Sequence, residues 1–172
     1  PTGGQRRRPG LARAPYTCAR LNPPSPNYCA GEGIPSLAAY ARLQDWDAIM
    51  VYTFEPKKDP AWKPYVGDPF DISLDPVRMT QMASGALMFL RGDVQPAKNT
   101  LVRTYSRDQV LESRRLGRAE QPYFTPGFPL ATPLRHGVRI GSLDGEATAS
   151  VAQDSVPPIV SDTKELSWSV SA

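Results

Sequence analysis

Two carboxylates stand where this chain could do acid–base chemistry. Glu32 lies in "AGEG", just before an expected helix whose first backbone amides favour a negative charge. Glu55 closes the run "QDWDAIMVYTFEP" (44–56), at the carboxyl end of an expected buried strand. That is the end at which α/β proteins gather their sites. Glycosidic bond cleavage uses such a pair, roughly 5 Å apart for retention or about 6.5–9.5 Å apart for inversion. Trp62, Tyr65 and Phe70, in the loop after the strand, offer aromatic faces on which a sugar ring stacks. The plainer readings make Glu32 a cap-region residue and Glu55 a loop acid solvated at a strand end.

Other chemistries find less to work with. The sequence contains no P-loop, dinucleotide fingerprint, His-Glu-x-x-His helix or Gly-x-Ser-x-Gly elbow. The single histidine, His136, limits Ser–His–Asp schemes and is expected at the surface of a turn. Two cysteines and one histidine cannot complete a four-ligand zinc site without carboxylates, so neither metal nor cofactor is called for. Cys18 and Cys29 are expected as thiols, with a disulfide as the alternative in an exported chain. Asp45 and Asp47, flanking Trp46 ahead of the strand, belong with the stabilising end of an α/β layer.

The elements that must position these residues can be read from pattern. The hydrophobic share of 40% and charged share of 22% over 172 residues suit a chain able to bury a core. The net charge of +3 is concentrated in "QRRRPGLAR" (5–13), and residues 1–15 read as a disordered basic tail. No basic–aromatic interleaving follows it, so a nucleic-acid partner is not expected. No apolar stretch approaches the ~20 residues of a membrane helix, and no signal peptide is visible. "IPSLAAYARLQDW" predicts a helix with Pro35 in its first turn and Leu37, Ala38, Ala41 and Leu43 on its apolar face. "AIMVYTF" (48–54) predicts a strand buried on both faces. Asp75 caps and Pro76 starts a second helix, expected to be largely buried and to end at Gly92. Beyond about residue 95, short strand candidates and a short helix in "DQVLESRRLG" suggest a β-rich region.

Three stretches, "LAAYARLQDWDAIMVYTFE", "DPFDISLDPVRMTQMASGALMFLRGDVQPA" and "SDTKELSW", resemble the C-terminal part of large bacterial glycoside hydrolases. These are β-galactosidase-like or cellulase-like enzymes built on a (β/α)8 barrel with β-rich appended regions. The resemblance implies an α/β chain with a partial TIM-barrel segment over 16–95 and a small β-rich region over 96–172. In it "YTCARLN" takes the place of the seventh barrel strand, "AIMVYTF" of the eighth, and residues 75–91 of the last barrel helix. Arg20 then occupies the position of the family's nucleophilic glutamate, and a guanidinium offers no lone pair. The family's acid/base, from strand four, would lie upstream of Pro1.

The expectation is therefore a truncated relative whose partner is carbohydrate. Any catalysis would fall to Glu32 and Glu55, and sugar contacts to Asn22, Trp62, Tyr65 and Phe70. A non-catalytic carbohydrate-binding or structural piece is one alternative. An esterase-like hydrolase with its site at a subunit interface is the other. Two parallel strands leave open edges, so a homo-oligomer joined through the sheet edge is also expected.

Overall fold

The computed structural model describes residues 10–11, 15–19, 24–55, 64–115, 131–149 and 156–169. The chain divides into two compact units, one comprising Tyr16–Gln95 and the other Pro1–Pro15 with Pro96–Ala172. In chain order the second unit contributes β1 (Gly10–Leu11), and the first contributes β2 (Thr17–Ala19), α1 (Ala30–Leu43), β3 (Ala48–Met50) and α2 (Pro76–Arg91). The remaining elements are β4 (Thr100–Thr104), α3 (Arg107–Arg115), α4 (Thr132–Arg135), β5 (Gly137–Ser142), β6 (Ile159–Val160) and β7 (Ser167–Trp168).

In the Tyr16–Gln95 unit, β2 and β3 pair in parallel, Thr17 opposite Ala48 and Ala19 opposite Met50. The ladder is extended at its start, where the Asp47 amide donates to the Tyr16 carbonyl at 3.0 Å and the Tyr16 amide to Asp47 Oδ2 at 2.6 Å. Helix α1 makes the crossover and buries Ile34, Leu37, Ala38, Tyr40, Ala41 and Leu43. Trp46 completes this core, tilted against Tyr16 at 5.0 Å and edge-on to Tyr40 at 5.6 Å. Each of the Ile34, Leu37 and Leu43 side chains taken from water is worth about 1.5–3 kcal/mol.

α1 begins at Ala30, about one turn ahead of the start expected at Ile34. Gly31 and Gly33 are poor helix formers and hid that start. Asn27 supports it, its side chain accepting from the Cys29 amide at 2.8 Å and its carbonyl from the Ala30 amide at 3.1 Å.

β3 is three residues long and half-exposed, not the seven-residue strand buried on both faces. One strand flanks it, and the following backbone turns away to bond Thr53 with Phe70 and Ile72. Tyr52 and Phe54 are left exposed.

α2 starts and stops as its sequence predicts. The Asp75 side chain accepts from the Val77 and Arg78 amides, and Gly92 closes the helix in the left-handed region at φ 71°. Its environment is different from the expectation. Of its sixteen residues only Arg78 and Gly85 are buried. Gly85 lets α2 approach α1, since a Cβ there would stand 2.5 Å from Ile34 Cγ2.

In the other unit, β1, β5 and β4 form a parallel sheet in that order, with β5 central. β4, α3 and β5 therefore build a strand–helix–strand crossover where sequence pattern suggested a sandwich or a packed β-region. Val138 on β5 is buried, as are Tyr105 and α4's Thr132, Pro133 and Leu134. β6 and β7 form a separate antiparallel pair.

Asp162, in the turn between β6 and β7, ties this unit together. Its carboxylate accepts from the Lys98 and Asn99 amides at 3.0 and 2.9 Å and lies 2.9 Å from His136 Nδ1. Burial alone would push this carboxyl up. The bonds from His136, Asn99 and Lys98, with the adjacent imidazole charge, outweigh it and hold the group below the usual aspartate value. His136 is thus a half-buried partner of Asp162 rather than a surface turn residue.

These are open sheets of two and three strands with four helices among the described residues, and none closes on itself. The expected partial TIM-barrel segment with a β-rich appendage is corrected to a mixed α/β fold. A barrel wall curls because successive parallel strands shear around an axis; a single two-strand pair imposes no such curvature.

Candidate interaction surface

Of the expected site residues, Glu55 and Phe70 lie on neighbouring segments, joined by the bond from the Thr53 amide to the Phe70 carbonyl at 2.9 Å. Glu32 sits exposed in the first turn of α1, inside the helix and not before it. Glu55 is also exposed, held at φ 43° with its amide donating to Asp71 Oδ1 at 3.2 Å. That left-handed conformation is uncommon for a residue with a side chain. Tyr65 and Phe70 are exposed, and Phe70 tilts against Tyr52 at 6.1 Å. Asp68 and Asp71 spend carboxylate oxygens on the loop's own amides, of Phe70 and Ser73. Asn22 and Trp62 lie outside the described residues. Among the described residues, no group of three or more His, Cys, Asp or Glu side chains could hold a metal ion. No disulfide joins Cys18 and Cys29.

The feature that stands out is α2 itself. Its N-terminus is anchored by Asp75, whose Oδ2 lies 3.0 Å from Arg78 Nε in a buried ion-pair contact, without the alignment of a hydrogen bond. Arg78 Nη1 reaches on to the Pro69 carbonyl at 3.3 Å. Arg78 and Gly85, seven residues apart, mark the face turned toward the unit's interior. About 120° around the helix lies a second stripe, of Met79, Ala83, Ala86, Leu87 and Leu90. All five are exposed, Leu90 at 81% and Leu87 at 55% of their full surface.

Met79, Ala83, Ala86 and Leu90 are separated by four, three and four residues. That spacing makes a straight apolar seam along a helix, as in helices that pack on another helix. Beside the seam runs a groove of about 310 Å³ between α1, β3 and α2. Ile34, Leu37, Ile49 and Val51 form one side, and Met82, Ala86, Phe89 and Leu90 the other. Asp47 is the charged residue among those that line it. Seam and groove share Ala86 and Leu90, so they make one continuous apolar surface.

Sequence reasoning missed this surface because it took a helix apolar nearly all round to be buried all round. The four–three–four spacing was the available signal, together with a bulky polar residue, Arg78, in register with Gly85 on the opposite stripe.

No protein-family model, curated protein or solved structure matches this chain. The resemblance to glycoside hydrolases is therefore overturned, by the missing family match and by open sheets in place of a barrel. The expectation of glycosidase activity goes with it, and both of its candidate carboxylates, Glu32 and Glu55, stand exposed.

Proposed function

We propose that this protein is an assembly module that self-associates, with the Tyr16–Gln95 unit offering its α2 surface to a second copy. The exposed seam carries this reading: five apolar or small residues line one face of a helix whose other face is already packed. Leaving such a stripe in water forfeits the favourable transfer that drives association. A second copy suits the surface because, between Val77 and Leu90, the only charged residue of α2 is Arg78, and it is turned inward. No like charges meet when the same face is presented twice.

This differs from the expected sheet-edge association in its location, on a helix face. Solution mass tests it. The chain should shift from monomer to dimer with rising concentration, and Leu87→Glu with Leu90→Glu should abolish the shift while leaving the circular dichroism spectrum unchanged. A wild-type mass that stays monomeric throughout, or a double variant that still dimerises, overturns it.

A further inference from the structure

Among the described residues β3 is paired on one side, with β2, and its other edge is open. The Asp47 amide reaches the Tyr16 carbonyl on the β2 side. Successive residues of a parallel strand turn their backbone groups to alternate sides, so Ala48 and Met50 present N–H and C=O along the open edge. The groove between α1, β3 and α2 follows that edge. Asp47, Ala48 and Ile49 all line it, although neighbouring side chains of a strand point to opposite faces. An opening meets all three where it runs along the strand's edge.

What completes an open backbone edge is another extended backbone. We infer that β3 takes up an extended segment of a partner polypeptide as a third strand, with apolar side chains at alternate positions and a lysine or arginine beside Asp47. Its backbone bonds Ala48 and Met50, and every second side chain enters the groove between Ile34 and Leu37 of α1 and Met82 and Phe89 of α2. Asp47 sets the charge of the partner, being the charged residue of an otherwise apolar lining. Its Oδ2 accepts from the Tyr16 amide at 2.6 Å, and the residue is exposed. The site does not depend on self-association, although Ala86 and Leu90 belong to both surfaces and the two occupants compete there.

The probes are fluorescein-labelled Lys-Val-Thr-Val-Thr-Val and its counterpart beginning with Glu. The full chain carries Leu87→Glu, outside the groove, to keep pairing of copies out of the measurement. By anisotropy the Lys peptide should bind about tenfold tighter than the Glu peptide. Asp47→Asn, which keeps an acceptor for the Tyr16 amide, should abolish that preference. Met50→Pro removes an edge donor while leaving the β2 side intact, and should weaken the Lys peptide about tenfold. By NMR the Ala48 and Met50 amides should gain exchange protection when the Lys peptide is added.

No binding of either peptide up to ~1 mM overturns the inference. So does binding indifferent to Met50→Pro, which would make the groove a pocket for apolar side chains without strand pairing. Protection of Ala48 and Met50 that rises with protein concentration alone would assign the edge to a second copy and also overturns it. If Met50→Pro does not fold, Asp47→Asn decides: loss of the Lys preference supports strand addition, and its retention overturns it.

Discussion

Asp75→Ala removes the group on which the start of α2 depends. Its carboxylate accepts from the Val77 and Arg78 amides, each at 3.0 Å, and stands against the Arg78 guanidinium. Loss of a cap of this kind costs about 1 kcal/mol. The larger effect is electrostatic, because Arg78 is 1% exposed and would keep its charge without its carboxylate partner. Breaking a buried pair from one side costs about 3–5 kcal/mol. The Pro69 carbonyl still accepts from Nη1, so the lower end applies and the total is about 4 kcal/mol.

Amide hydrogen exchange followed by mass spectrometry on peptides spanning α2 reads this directly. Exchange by unfolding of the Tyr16–Gln95 unit should quicken about a thousandfold, since 1.4 kcal/mol is a factor of ten. Asp75→Ser keeps a capping oxygen but not the charge and should recover only the cap's share. Adding Arg78→Met to Asp75→Ser should restore most of the remainder, because the buried charge that Asp75 balanced is then gone. Protection in Asp75→Ala within tenfold of wild type would refute the assignment of a buried ion pair at the head of α2.

Gly85→Ala should destabilise the same unit by about 1–3 kcal/mol despite alanine's better helix propensity, because its methyl meets the stiff Ile34 Cγ2 at 2.5 Å. A denaturation midpoint at or above wild type would count against the close α1–α2 approach. In the other unit, Asp162→Asn should cost about 1–3 kcal/mol, since one amide oxygen replaces two carboxylate oxygens serving Lys98, Asn99 and His136. The wild-type carboxyl is held low, so its contribution is complete above the ordinary aspartate value near pH 4 and is lost as pH falls through the lowered one. Acid titration of peptides from 96–104 and 131–142 by hydrogen exchange should show that loss in wild type and not in Asp162→Asn.

Local chemistry was the legible part of this sequence. Asp75, Pro76 and Gly92 announce the ends of α2 because a cap, a first-turn proline and a left-handed glycine act within one turn. "NTLVRTYS" and the segment near 137–141 hold β4 and β5, since β-formers in short runs need no distant partner to be recognised. Asp47, one of the two acids expected at the stabilising end of the layer, bonds Tyr16 at the β2–β3 start.

Pairing and burial were not legible in the same way. That β4 and β5 run parallel, with β1 on the far edge of β5, depends on contacts across more than thirty residues of sequence. Phe54, Tyr52 and the α2 stripe have core composition, but composition reports what a residue gains from burial, not whether a neighbour is there to bury it. The barrel expectation failed at that step: it assigned covering elements to surfaces that remain exposed.

The most direct test of the account is sedimentation equilibrium of the wild-type chain. Covering the exposed parts of Met79 (37%), Leu87 (55%) and Leu90 (81%) on both copies is worth roughly 7 kcal/mol. Filling the groove adds to this, and association itself costs about 4–15 kcal/mol. At the low end of that cost the seam alone leaves about 3 kcal/mol, and a further ~1–5 kcal/mol from the groove places the dimer midpoint between ~1 mM and ~1 μM. The weight-average mass should climb from 18.8 kDa toward twice that value across this range. A mass fixed at one chain up to ~1 mM would contradict the claim that the α2 surface is an interface between copies.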